Sequence, residues 1–214
     1  MAFYAELTEG NNDRRWWQAN TDRYRASVRQ PMEELLDALE GEFGPGRVYR
    51  PNRDLRFTTD KSPYKDHQGA LVEVDPGVGY YVQVSADGLL TGAGFFPASP
   101  DRLRLLRAGI DDDTSGEVLR GILDALTATT HGGAPWTVGG ERLQTRPRGF
   151  PADHPRLDLL RHRVLTVTRS HGEPEWLDTP EVVDRVRDDW RDVRPLVAWL
   201  TEHAGSATQP HATA

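Results

Sequence analysis

Residues 69–96 read GALVEVDPGVGYYVQVSADGLLTGAGFF, and this run decides the fold class. GALVEVD and GYYVQVS are short, rich in β-branched and aromatic residues, and bounded by Pro, Gly and Asp, which is the composition of strands separated by turns. Ala86-Asp87-Gly88 is a tight-turn signal leading into LLTGAGFF, so successive strands return beside each other and the sheet is antiparallel. Side chains alternate along a strand. In GYYVQVS this puts Tyr80, Val82 and Val84 on one face, read as the core side, and Tyr81, Gln83 and Ser85 on the other. Gly92 and Gly94 leave part of one strand face bare, which lets another backbone, a large side chain or a ligand come close.

Helical patterns flank this sheet. Upstream, Asn11, Asn12 and Asp13 offer capping oxygens to a helix over 13–29, in which Trp17, Tyr24 and Val28 recur at helical spacing. Pro31 suits the first turn of a second helix, with Met32, Leu35, Leu36, Leu39 and Phe43 as its apolar stripe, and Gly44-Pro45-Gly46 ends it. Downstream, Ser99-Pro100 starts one helix and 116–129 form another, with Asp111-Asp112-Asp113 as the turn between them. Residues 136–144 read as a hairpin turned at Gly139-Gly140, a short helix begins near Pro155, and VLTVTRS is a further strand. Thr179-Pro180 caps a last long helix that Pro195 ends or kinks. The tryptophans at 16, 17, 190 and 199 fit helix packing better than base stacking. The expected fold is a single α+β domain over 1–204: a mostly antiparallel sheet flanked by N- and C-terminal helices, followed by a disordered tail over 205–214.

The chain contains no cysteine, which excludes disulfides, thiolate catalysis and cysteine-ligated metals. Its first residues, MAFYAELTEGNNDRR, show no basic segment followed by an apolar one, and no run approaches the length of a membrane-spanning helix. A soluble cytoplasmic protein with no membrane partner is therefore expected, and nothing specifies an oligomeric state. The net charge of −7 argues against wholesale nucleic-acid binding and leaves room for a local basic patch.

That patch is residues 47–65, RVYRPNRDLRFTTDKSPYK, with four arginines and two lysines against two aspartates. Lys61 and Lys65 are the only lysines in the chain, whose other cations are all arginine. Arg is a flat bidentate donor and Lys a compact charge that titrates when desolvated, so the exception points to a chemical need. Around 53–58 the period is nearer 2 than 3.6; an extended segment would send Asp54 and Arg56 one way and Arg53, Leu55 and Phe57 the other. Residues 60–65 read as a loop, because Ser62 precedes Pro63.

Arg50, Arg53, Asp54 and Arg56 make either an anion-binding cluster, with Asp54 orienting one guanidinium, or an internal ion-pair network that pins the segment to the N-terminal helices. Asp60, Lys61, Tyr64 and Lys65 add an acid, two amines and a phenol. Lys61 neutralises a phosphate, acts as nucleophile or base if burial lowers its pKa, or is a solvated loop lysine. Lys61, Tyr64 and Asp54 are the candidates for catalysis. His154, Asp158 and His162 share a helical face but match no metal-binding pattern, so no metal and no cofactor are expected. GxSxG, GxxxxGK[ST] and a GxGxxG after a strand are absent.

The run Arg50-x-x-Arg53-Asp54-x-Arg56-Phe57, followed by Asp60-Lys61-Ser62-Pro63-Tyr64-Lys65, resembles the defining motif of a bacterial and fungal family known as domain of unknown function 2461. NDRRWWQANTDRY over 12–24 is similar to its N-terminal helix and GYYVQVS to its central strand. Arg148-Gly149-Phe150, Asp153-His154-Pro155 and Asp158-Leu159-Leu160 are similar to its late segment, while Asp66 and Gln68 fall in a less regular stretch. The resemblance implies a shared site on the motif and supplies no activity.

From the residues, the expected function is binding of a small anionic ligand: a phosphate, nucleotide or carboxylate. Arg53, Arg56 and Lys61 would hold the anion with Arg50, Asp60 and Lys65 in the same site, Asp54 would fix an arginine, and Tyr64, Tyr81 and Gln83 would supply orienting hydrogen bonds. Turnover of that ligand is left open. Two alternatives stand: a non-catalytic module that docks an acidic protein segment or a nucleic-acid backbone, and a purely structural ion-pair network.

Overall fold

The computed structural model describes residues 1–54, 56, 59–97, 99–128 and 133–205. The chain opens with α1 (Ala2–Thr8), α2 (Arg14–Tyr24), a π-helical turn (Arg25–Arg29) and α3 (Gln30–Phe43). Strands β1 (Gly46–Val48), β2 (His67–Asp75), β3 (Val78–Ser85) and β4 (Gly88–Phe95) follow, then α4 (Pro100–Asp111), α5 (Asp113–Ala128) and β5 (Thr137–Gly139). The chain continues through α6 (Leu157–Leu160), β6 (Leu165–Gly172), α7 (Glu181–Asp192) and α8 (Arg194–Ala204). The strands form one sheet in the order β1-β2-β3-β4-β6-β5, every neighbouring pair antiparallel. This is the expected single-domain α+β fold, and no helix among the described residues is long and apolar enough to cross a membrane.

The inner face of the sheet carries Ala70, Val72, Tyr80, Val82, Ala93, Phe95, Leu165 and Val167, all buried. Helices α3, α7 and α8 cover it. Trp190 of α7 sits between Phe43 and Tyr80, with ring centroids 5.2 and 5.4 Å away, and donates its Nε1–H to the Tyr81 carbonyl at 3.2 Å. The outer face carries Leu71, Tyr81, Gln83, Leu90, Thr166 and Thr168, all partly exposed. The alternation read in GYYVQVS is thus the alternation observed. The bare glycine positions serve a neighbouring strand: a Cβ on Gly92 would stand 2.7 Å from the Val167 carbonyl oxygen, and one on Gly94 2.4 Å from that of Leu165.

A second, smaller apolar cluster, which meets the first at Val84, is built from Phe3, Tyr4, Leu7, Trp17, Tyr24, Val28 and Tyr64. It depends on α1, which the sequence reading did not anticipate because a single short amphipathic turn carries little periodic signal.

Three expectations need correction. The helix over 13–29 does not stop before Pro31; α2 runs on into α3 through the π turn, where the Gln30 N–H reaches back five residues to the Arg25 carbonyl. Pro31 has no N–H and its ring crowds the carbonyl four residues earlier, and one widened turn accommodates both. Residues 136–144 do not form a hairpin: β5 pairs with β6, and Arg142 bridges to His162. Gly140, at φ +102, bends the chain over Val164, whose carbonyl oxygen would lie 2.1 Å from any Cβ there. Residues 53, 54 and 56 are not strand; Asp54 accepts from the Arg56 N–H two residues on, at 3.1 Å, and this Asx-type bond curls the chain. Leu55, Phe57 and the tail beyond Gly205 lie outside the described residues. The break at Val193 with Pro195 in the first turn of α8 falls where the proline was expected to act.

Candidate functional site

The motif loop leaves β1 and returns at β2, and its two ends are laced together. The Tyr49 N–H donates to the Gly69 carbonyl at 3.0 Å, the Lys65 N–H to Pro51 at 2.8 Å and the Arg53 N–H to Pro63 at 2.9 Å. Inside the loop, Asp54 takes the Arg56 guanidinium, with Nη2 2.7 Å from Oδ2, on an exposed arm. Asp60 accepts from the Ser62 N–H at 2.9 Å and hydroxyl at 2.7 Å, and pairs with Arg53 Nη1 at 3.1 Å. The Arg56 side chain holds the Asp54 carboxyl below the usual carboxylate range, and the Ser62 hydrogen bonds do the same for Asp60.

Tyr64 anchors the loop. Its ring stacks on Trp17 with centroids 4.0 Å apart and planes 9° from parallel, and it is only 7% exposed. Asn12 clamps its backbone, donating Nδ2–H to the Tyr64 carbonyl at 2.9 Å and accepting the Tyr64 N–H at 3.1 Å. Asn12 is free for this because Asp13 caps α2, accepting from Arg15 N–H at 2.7 Å and Trp16 N–H at 2.9 Å. Tyr64 is therefore drawn into the N-terminal cluster, not towards Tyr81 and Gln83.

Strand alternation carries Tyr49, Lys65 and His67 onto the outer face, the face of Tyr81 and Gln83. The Lys65 ammonium lies over the Tyr49 ring, 5.2 Å from its centroid, and that ring is 6.5 Å from Tyr81. Tyr81 lies across Gly69, where a Cβ would be 2.3 Å from its hydroxyl oxygen, and donates to Gln83 Oε1 at 2.8 Å. Burial keeps the Tyr81 phenol protonated to well above its ordinary range. Burial first, and then the charges of Arg50 and Arg53, push the Lys65 amine below its ordinary value. Among the described residues, neither the Arg50 guanidinium nor the Lys65 ammonium has a carboxylate within ion-pairing distance, and the Nε of Arg53 is buried with no hydrogen-bond partner.

Of the candidates read from sequence, Lys65 thus shares a face with Tyr81 and Gln83, and Arg50 and Arg53 lie close enough to act on its charge. Asp60 supports Arg53, Lys61 is exposed on the loop, and the Asp54–Arg56 pair projects as a separate arm. Sequence reasoning missed Tyr49, the floor under Lys65, and His67, whose Nδ1 lies 2.7 Å from Asp66. Both lie at the outward-facing parity of β1 and β2, a signal available only once register is known.

It also missed a polar cluster on the inner face. Asp189 of α7 accepts from Thr91 at 2.5 Å and from Arg169 Nη1 at 2.5 Å, and lies 2.6 Å from His171 Nε2. Arg169 also reaches Asp192 at 3.2 Å and stacks 4.5 Å from the Trp136 ring centre. Burial alone would raise the Asp189 carboxyl, but hydrogen bonds from His171 and Thr91 and the charge of Arg169 hold it below the usual range. Arg169 and His171 follow Val167 at alternate positions, and that parity was the one clue to their burial.

Among the described residues, no three His, Asp or Glu side chains are grouped as a metal site would require. His154 pairs with Asp111 at 3.0 Å, Asp158 with Arg120 at 2.6 Å, and His162 Nδ1 lies 2.9 Å from the Val164 carbonyl.

No curated protein and no solved structure matches this chain. A family model described as a conserved hypothetical protein, DUF2461, matches residues 1–199, spanning the N-terminal cluster, the motif loop and the whole sheet. The chain belongs to this family, DUF2461.

Proposed function

We propose that the chain binds a small anion, a metabolite bearing phosphate or carboxylate, on the outer face of the sheet beside the motif loop. One observation carries this reading: the charges of Arg50 and Arg53 disfavour the Lys65 ammonium, and among the described residues Asp60, on Arg53, is the carboxylate within ion-pairing distance of the three. A ligand anion relieves that repulsion, and the partly buried setting makes its charge count for more than it would in open solvent. Arg50, Arg53 and Lys65 take the charge, Tyr81 and Gln83 orient the remainder, Tyr49 forms the floor, and Lys61 and the Asp54–Arg56 arm border the site. The structural alternative fits Tyr64, which is held by packing, better than it fits Lys65.

The test is a thermal-shift series with orthophosphate, nucleotides, sugar phosphates and carboxylates, run on the wild type and on Lys65→Met. A ligand at about 100 times its Kd adds roughly 2.7 kcal/mol to a protein that binds it only when folded. A shift in the wild type that Lys65→Met loses is the expected result; no shift across the series overturns the reading. Binding confined to polyanions, and weakening steeply with salt, would favour the docking module instead.

A further inference from the structure

We infer that the anion carries a carbonyl group and that Lys65 holds it as an imine; this rests on the anion site proposed above and names its chemistry. An anion that needs only positive charge is served by arginine, which this chain uses at every cationic position except 61 and 65. Arginine stays protonated and cannot act as a nucleophile, whereas an amine kept free of its proton can. The two lysines have different surroundings. Lys61 is exposed on the loop, while Lys65 is partly buried, has its backbone pinned to Pro51 and its amine laid on Tyr49, and among the described residues has no carboxylate within ion-pairing distance. Arg50 and Arg53, which disfavour the ammonium form, are also the groups that would seat the carboxylate or phosphate of an incoming carbonyl compound.

The step needs no oxidant or reductant. The Nζ lone pair attacks the carbonyl carbon and a C–N bond forms. The carbonyl oxygen then departs as water, taking the two amine hydrogens, and C=N remains. Tyr81 and Gln83 share the face as hydrogen-bonding groups for the departing oxygen, and His67, oriented by Asp66, lies two residues along the same face as a proton carrier.

The test is reductive trapping on the full chain. The protein is incubated at neutral pH with cyanoborohydride and pyruvate, 2-oxoglutarate or glyceraldehyde 3-phosphate, and adducts are mapped by peptide mass. Two lysines and one terminal amine make the map unambiguous. The expected result is an adduct on Lys65 that forms about tenfold faster than on Lys61 and is slowed by excess orthophosphate. Lys65→Arg should take no adduct at that position and leave the slower labelling of Lys61 as it was. Equal modification of both lysines, or no adduct where orthophosphate still shifts the melting temperature, overturns the imine and leaves the anion site standing. Selective labelling of Lys65 that orthophosphate neither slows nor accompanies with a thermal shift overturns the anion site, and with it the substrate class named here.

Discussion

On the inner face of the sheet, Arg169 and Asp189 have side chains only 1% and 4% exposed; Nη1 of the guanidinium meets two carboxylates, its Nε and Nη2 are buried with no hydrogen-bond partner, and the buried carboxylate meets three donors. Beside the outer face, the charges of Arg50 and Arg53 act on Lys65, and Arg53 pairs with Asp60. The contrast follows from dielectric. A charge taken out of water must be met by opposite charge and hydrogen bonds or the fold is lost, whereas a partly hydrated cluster tolerates like charges until a ligand arrives. Cations on the inner face are met by carboxylates within the fold, and the anion proposed above would do the same for those beside the motif loop.

The comparison is broken most severely at Asp189. Asp189→Ala strands Arg169 and His171 in the interior and is expected to lower stability by about 3–5 kcal/mol, read from urea unfolding. The same residue sets an acid limit. Its folded pKa lies below the unfolded value, so its stabilisation is present above about pH 4 and is lost as pH falls through the folded value. Asp189→Asn should flatten that part of the stability profile. If both variants unfold like the wild type, the inner cluster is not what holds α7 to the sheet.

Tyr64 comes next. Tyr64→Ala removes the ring stacked on Trp17 and should lose about 3 kcal/mol, while Tyr64→Phe keeps the stack and should change stability by less than about 1 kcal/mol. Should Tyr64→Phe keep the fold but lose the ligand shift, the phenol belongs with the outer cluster and the division drawn here is wrong. Asn12→Ala removes both hydrogen bonds to the Tyr64 backbone and is expected to destabilise by about 1–2 kcal/mol.

The smallest effect on stability, and the largest on binding, is expected at Lys65. Lys65→Met removes a repelled cation and should leave stability unchanged or slightly raised. Because the folded pKa is depressed, wild-type stability should rise with pH from that folded value up to the 10.5 of an unhindered lysine, and Lys65→Met should lose the rise. Melting temperatures of the two proteins across alkaline pH check the sign.

How much was legible follows from where each signal resides. The faces of GYYVQVS could be read because a period of 2 commits every second side chain to one side, and Pro195 could be read because a missing N–H acts on its own helix. The pairing of β5 could not be read from Gly139-Gly140, because a bend says nothing about which distant strand accepts the hydrogen bonds. Nor could the meeting of Arg169 with Asp189, 20 residues on, since no local pattern links a strand's inward positions to one turn of a later helix. The motif itself was visible as a concentration of charge, and both lysines stood out by their rarity. By itself, then, the sequence determined the α+β class, the strand faces and the stretch that carries the cations, all of which follow from periodicity, turn chemistry and composition along neighbouring residues. Only the tertiary structure decided that Tyr64 is an anchor, that Asp54 pairs with Arg56, and that Lys65 and not Lys61 is the desolvated amine, because burial and charge compensation are sums over neighbours brought in from α2, β1 and β3.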